Sequence, residues 1–317
     1  MSQQAVLFVG HGSRDPEGNE EVRKFIQEIA RKMESVRVET CFLEFERPTI
    51  ADGIATCVGA GATHVVVIPI ILFSAGHAKI HIPAAIDEAK EKYVHIQFTY
   101  GRPIGVHDQV LEILTYRVGG AGIDSSDVLE DTAMLVVGRG SSDPDANSDL
   151  FKISRLLWEK IKVKWVETAF IGVTAPLIDE GVERCIRLGA KRVMIVPYFL
   201  FTGILIQRME QMLLGYRTAY PDVEFAMSEY FGFHPKLQEI LIERANEALV
   251  DDVKMNCDMC QFRLAAMHDM DHHHHDHDHH HDHHHDHQHD HHHHDDDHDH
   301  DHDHDHHKHV SVGGERS

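Results

Sequence analysis

Apolar residues fall along this chain in short runs that alternate with amphipathic stretches. In its first third the runs are VLFVG, VRVETCFLEF, HVVVIPIILF and HIQFTYG. Between and after them lie stretches with helical spacing, at about 16–34, 48–60, 78–92 and 106–117. Runs of four to eight β-branched and apolar residues read as strands buried on both faces, and their alternation with helices predicts a parallel sheet covered on both sides.

The pattern then repeats. A shift of 128 residues aligns His11 with Arg139, Pro16 with Pro144, Pro48 with Pro176, Gly61 with Gly189, Pro69 with Pro197 and Phe73 with Phe201. Further on, GVHDQVLEIL from Gly105 faces GFHPKLQEIL from Gly232. Self-similarity at one fixed offset marks a tandem duplication. The expected architecture is therefore α/β, with two tandem flavodoxin- or Rossmann-like lobes, each on its own parallel sheet. The first lobe is placed at 1–120, a Gly/Ser/Asp-rich linker at 121–131 and the second lobe at 132–250. Residues 251–317 form a separate tail.

Composition changes the picture mainly through that tail. The 317 residues carry a formal charge of −22, but the segment after Met267 holds 15 carboxylates against Lys308 and Arg316, which leaves the body at about −9. There are 24 histidines between His272 and His309. Such a His/Asp tract cannot build a core and is expected to be disordered without metal, and imidazole-rich tracts bind cobalt, nickel, copper and zinc. The acidic body lacks the clustered Lys and Arg that nucleic acid requires. No run reaches the ~20 apolar residues of a membrane span, and the N-terminus has no basic signal-peptide region, so a cytoplasmic location is expected.

Candidate chemistry begins at VGHGSRDP, where His11 sits between two glycines at a strand-to-helix junction. Three readings are open: a turn histidine, a phosphate nest, or an active-site base or metal ligand. GHGS lacks the third glycine of a dinucleotide fingerprint and the Gly-Lys-Ser/Thr of a P-loop. His77, in FSAGHAKIHIP, falls just past another strand end on the same rim. At the aligned positions the second copy has Arg139 and Leu205, so the copy without the first imidazole also lacks the second. His107 and His234 occur in both copies at the start of each last helix, where packing or capping accounts for them. His81 lies four residues beyond His77.

Cys41, Cys57 and Cys185 fall within core elements, whereas Cys257 and Cys260 form a Cys-x-x-Cys before the histidine tract. Two thiolates cannot complete a four-cysteine cluster, though a dimer sharing two pairs would; zinc or a redox dithiol are the alternatives.

GHGSRDP, FLEFERPTI, VIPIILFSAGH and the duplicated lobes resemble the class II chelatases of modified tetrapyrrole synthesis, in their long form, over about residues 1–250. The resemblance implies insertion of Co²⁺, or alternatively Fe²⁺, into sirohydrochlorin. It places His11 and His77 at the family's two active-site histidines, as catalytic groups and metal ligands, with Glu44 as an acidic partner. Many relatives carry an acidic residue where His81 stands. Cys257 and Cys260 would hold an iron–sulfur cluster, shared across a homodimer. A polycarboxylic macrocycle makes Arg14, Arg47, Lys79 and Arg139 candidate clamps. A protein that only stores metal through its tail is the reading of a different class, and it leaves the paired histidines unexplained.

Overall fold

The computed structural model describes residues 3–123 and 129–250. The first lobe is β1 (Gln4–Gly10), α1 (Pro16–Lys32), β2 (Arg37–Phe42), α2 (Ile50–Gly59), β3 (His64–Pro69), a π-helical turn (His77–His81), α3 (Ile82–Lys92), β4 (Gln97–Tyr100) and α4 (Asp108–Gly120). The second repeats it as β5 (Leu129–Gly138), α5 (Pro144–Lys160), β6 (Val163–Phe170), α6 (Ile178–Arg187), β7 (Arg192–Pro197), α7 (Ile204–Ala219), β8 (Glu224–Met227) and α8 (Pro235–Leu249). Each lobe has a four-stranded parallel sheet, in the orders β2-β1-β3-β4 and β6-β5-β7-β8. Two expected bounds move. Helix α4 runs on to Gly120, and β5 begins at Leu129, inside the segment read as linker. The helix expected from 78 is a π turn first and an α-helix only from Ile82.

Strand periodicity sorts the central residues onto two faces. In β1 and β3, Val6, Phe8, Val66 and Ile68 face one core, while Ala5, Leu7, Val65 and Val67 face another that includes Ile54 of α2 and Ile86 of α3. The second sheet does the same, with Met134, Val136, Met194 and Val196 on the shared side and Leu135, Val193 and Ile195 turned to α6 and α7.

The shared core lies between the two sheets and is filled by α1, α4, α5 and α8. Here the last helices trade places: α8 of the second lobe lies against β3 and β4 of the first, and α4 lies against β7 of the second. The exchange is stapled by Arg244 on α8, whose guanidinium donates to the carbonyls of Pro103 (3.2 Å) and Ile104 (3.1 Å). Arg102 holds Glu247 through two bonds of 2.9 and 2.8 Å. Each lobe thus completes the other's core, which fixes the cleft between their strand ends. Among the described residues no helix is long and apolar enough to cross a membrane.

Candidate functional site

The turn after β1 is built by backbone chemistry before any side chain acts. Gly12 has φ +85°, and a Cβ there would sit 1.8 Å from the carbonyl oxygen of Glu44. Glycine is required on both counts. The close approach continues the strand pairing: Leu43 N–H donates to Gly10 O (2.9 Å) and Glu44 N–H to His11 O (3.1 Å). Asn19 clips the loop, accepting from Ser13 N–H and donating to Ser13 O, both at 2.8 Å. Asp15 caps α1 and Pro16 occupies its first turn. The exits of β1 and β2 are zipped together, so His11 and Glu44 meet.

His11 is held through Nδ1, 2.9 Å from Gly12 O. A carbonyl only accepts, so Nδ1 donates to it, and Nε2 is the ring nitrogen that meets the side chains across the turn. Nε2 lies 3.4 Å from Glu44 Oε1 and 3.5 Å from Arg139 Nη1. The side chain that replaced histidine in the second copy therefore reaches the histidine of the first.

The His77 backbone opens the π turn, and Ala75 and Ala78 beside it line the same cavity as His11. The turn is tied down by Tyr100 Oη, which donates to Ala78 O at 2.9 Å, and by Lys79 Nζ, which reaches Asp143 at 2.7 Å and Asp145 at 3.2 Å across the cleft. That pairing raises the Lys79 pKa and lowers that of Asp143. His81 is exposed and is not among the residues lining the cavity.

The cavity, about 580 Å³, opens between the carboxyl ends of the two sheets, where open parallel sheets bind ligands. Its size is typical of small-molecule sites. Its floor includes Phe73 stacked on Tyr198, with centroids 5.1 Å apart. The four clamp candidates divide. Lys79 is engaged by Asp143 and Asp145, and Arg47 by Asp52 at 3.2 Å. Arg14 and Arg139 line the cavity.

Cys41, Cys57 and Cys185 are buried and free. Burial raises all three thiols, Cys57 and Cys185 to about 12, so neutral pH keeps them protonated and unfit to ligate metal. Cys257, Cys260 and the His/Asp tract lie outside the described residues. Among the described residues no group of three or more His, Cys, Asp or Glu is arranged to hold a metal ion.

The family model CbiX matches residues 5–121 and again 133–248, one match per lobe. The chain belongs to the CbiX family. This CbiX chain is 64% identical to the sirohydrochlorin cobaltochelatase of Priestia megaterium over 270 residues, 85% of this chain and 88% of the relative. It is 36% identical to the sirohydrochlorin ferrochelatase of the same organism over 77% of this chain and 90% of that one. Among solved structures it resembles SirB from Bacillus subtilis with Fe³⁺ (TM-score 0.69, 35% identity, 78% of this chain and 95% of that one). It also resembles SirB of the subspecies spizizenii in complex with cobalt (TM-score 0.67, 32% identity, 78% and 96%).

Two features escaped the reading of the sequence. At the same offset Glu44 aligns with Gly172, whose carbonyl oxygen lies 2.1 Å from where a Gly140 Cβ would be, as Glu44 O does at Gly12. The CbiX second lobe has thus lost the acid together with both histidine positions. Phe45 and its counterpart Val173 both have positive φ, 62° and 68°, and both are exposed. No side-chain pattern announces a left-handed residue that is not glycine. Such strain persists where surrounding structure imposes it, frequently at ligand sites.

Proposed function

We propose that this chain is a metal chelatase that inserts Co²⁺ into sirohydrochlorin with release of two protons, a step of cobalamin biosynthesis. The observation that carries the reading is the His11 imidazole, fixed at Nδ1 and presenting Nε2 beside Glu44 at the edge of a largely apolar cleft. Insertion demands a group that receives the metal and groups that take the pyrrole N–H protons. A neutral imidazole performs either task near neutral pH, and a carboxylate 3.4 Å away relays a proton outward. His77, on the neighbouring rim, supplies the second imidazole. Fe²⁺ is the competing metal, since relatives named ferrochelatases share 36% and 34% identity; the 64% identity to a cobaltochelatase favours cobalt.

The tail adds metal chemistry of its own. Cys257 and Cys260 are the cysteines left to bind an iron–sulfur cluster once the three core thiols are set aside, and a second chain would supply the remaining pair. Bound there, a cluster supplies electron transfer. The His/Asp tract buffers Co²⁺, in the cytoplasm.

Anaerobic assay of the full chain with sirohydrochlorin and either Co²⁺ or Fe²⁺, followed by absorbance, tests the reading. Co²⁺ insertion is expected to be faster, and His11→Ala and His77→Ala each to lower it at least ~100-fold with unchanged folding. Deleting residues 255–317 should leave insertion intact at saturating metal. Full activity in both histidine variants removes the site, and a full chain that binds Co²⁺ through residues 255–317 but inserts none favours metal storage as the main role.

A further inference from the structure

The body of this chain is acidic, yet the described residues lining its cavity include no Asp, Glu or Lys. Beside His11, the charged side chains on that wall are Arg14 and Arg139. They come from opposite lobes. Other cations around the rim have carboxylate partners in the protein: Lys79 with Asp143 and Asp145, Arg23 with Glu46, Arg47 with Asp52. Arg14 instead lies over the Phe45 ring, its Cζ 4.9 Å from the centroid, and Arg139 points at the His11 Nε2. A guanidinium set against an aromatic face and another against an imidazole both keep their forks available for an anion.

From this we infer that Arg14 and Arg139 are a two-point carboxylate anchor that holds a flat, polycarboxylic tetrapyrrole across the cleft. The inference rests on the chelatase reading and deepens it by naming what orients the macrocycle. Phe45 is part of the device. Its left-handed backbone holds the ring half-exposed at the mouth, where it supports Arg14 and offers an apolar face to the ligand edge. The two arginines are not pseudo-equivalent, for Arg14 aligns with Ser142 and Arg139 with His11. An asymmetric pair of anchors selects one orientation of an asymmetric ring, which a symmetric pair would not. A ligand carboxylate on Arg139 also draws its guanidinium from His11, leaving Nε2 to the reaction.

These are positioning residues, so the test separates binding from chemistry. Metal-free uroporphyrin, with a carboxylate on both side chains of every pyrrole, and its partly decarboxylated relative coproporphyrin serve as probes of the full chain by fluorescence titration. Wild type should prefer uroporphyrin, and Arg14→Gln and Arg139→Gln should each weaken it about ten-fold while changing coproporphyrin less. Arg139→Lys should recover part of the loss. With sirohydrochlorin and Co²⁺, the variants should raise KM more than they lower kcat, as expected for lost uniform binding. Uroporphyrin affinity equal to wild type in both variants, or equal losses for both porphyrins, overturns the anchor. Failure of the wild-type chain to insert metal overturns the chelatase reading instead, whatever the porphyrin titrations give.

Discussion

The two lobes share their backbone devices to within a few degrees and tenths of an ångström, and differ at the residues that carry chemistry. Gly12 and Gly140 have φ +85° and +87°, each pressed against a carbonyl from the neighbouring strand exit. Asn19 and Asn147 clip their loops through the same pair of bonds, and Asp15 and Asp143 cap the helices that follow. Against that, His11, Glu44 and His77 in one copy face Arg139, Gly172 and Leu205 in the other. A turn kept where its chemistry is gone serves the fold. The histidine and the acid use it as a platform in the first lobe, and the second lobe's contribution is a wall, a tethered rim and a charge.

If the turn is architecture, breaking it should cost both lobes alike. Gly12→Ala and Gly140→Ala each force a Cβ to 1.8 or 2.1 Å from a carbonyl oxygen in a left-handed backbone. Each should lose about 3 kcal/mol or more in urea unfolding, at the severe end for single substitutions. A harmless Gly140→Ala would mean that the second turn is merely inherited. The acid separates the lobes more gently. Glu44→Gln keeps the shape of the side chain but takes up no proton from His11, and Co²⁺ insertion should fall roughly ten- to hundred-fold with stability nearly unchanged. Gly172→Glu in the other lobe places a carboxylate beside Arg139, as Glu44 stands beside His11, and should raise the KM for sirohydrochlorin several-fold more than it lowers kcat, because it competes with the substrate for that guanidinium.

Much of this was legible because it rests on short-range chemistry. Strands buried on both faces announce themselves as apolar runs, and the fixed offset exposed the duplication and the histidines' one-sidedness. The roles of His107 and His234 followed from position: their Nδ1 atoms accept from Gln109 N–H (3.1 Å) and Lys236 N–H (3.3 Å) and cap α4 and α8. What stayed hidden needed long-range information. The apolar stripe of α8 says that Leu237, Leu241 and Ala245 will be buried, but not that the sheet they cover belongs to the other lobe. Charge type named four clamp candidates, and only pairing in three dimensions separated Lys79 and Arg47 from Arg14 and Arg139. Helical spacing from 78 does not distinguish the π turn at His77–His81 from the first turn of an α-helix.

The caps offer the finest distinction between the lobes, through pH. An imidazole that accepts a backbone N–H cannot do so once protonated at that nitrogen. Both histidine pKa values are lowered: His107 by burial and then by Arg244 and Arg102, outweighing Glu243 at 3.5 Å, and His234 by burial and then by Arg117. A folded value below the unfolded ~6.5 means that the unfolded chain binds more protons as the medium acidifies. The stabilisation is therefore complete above about pH 6.5 and is lost as pH falls through the depressed folded values. Replacing each cap by asparagine, which accepts the same bond without titrating in this range, should flatten the fall of Tm between neutral pH and pH 5. The contribution is about 1 kcal/mol for His107 and smaller for the more exposed His234. The first lobe should thus show the larger change, with the more buried of two otherwise matched caps, and equal flattening would mean that burial does not set the difference.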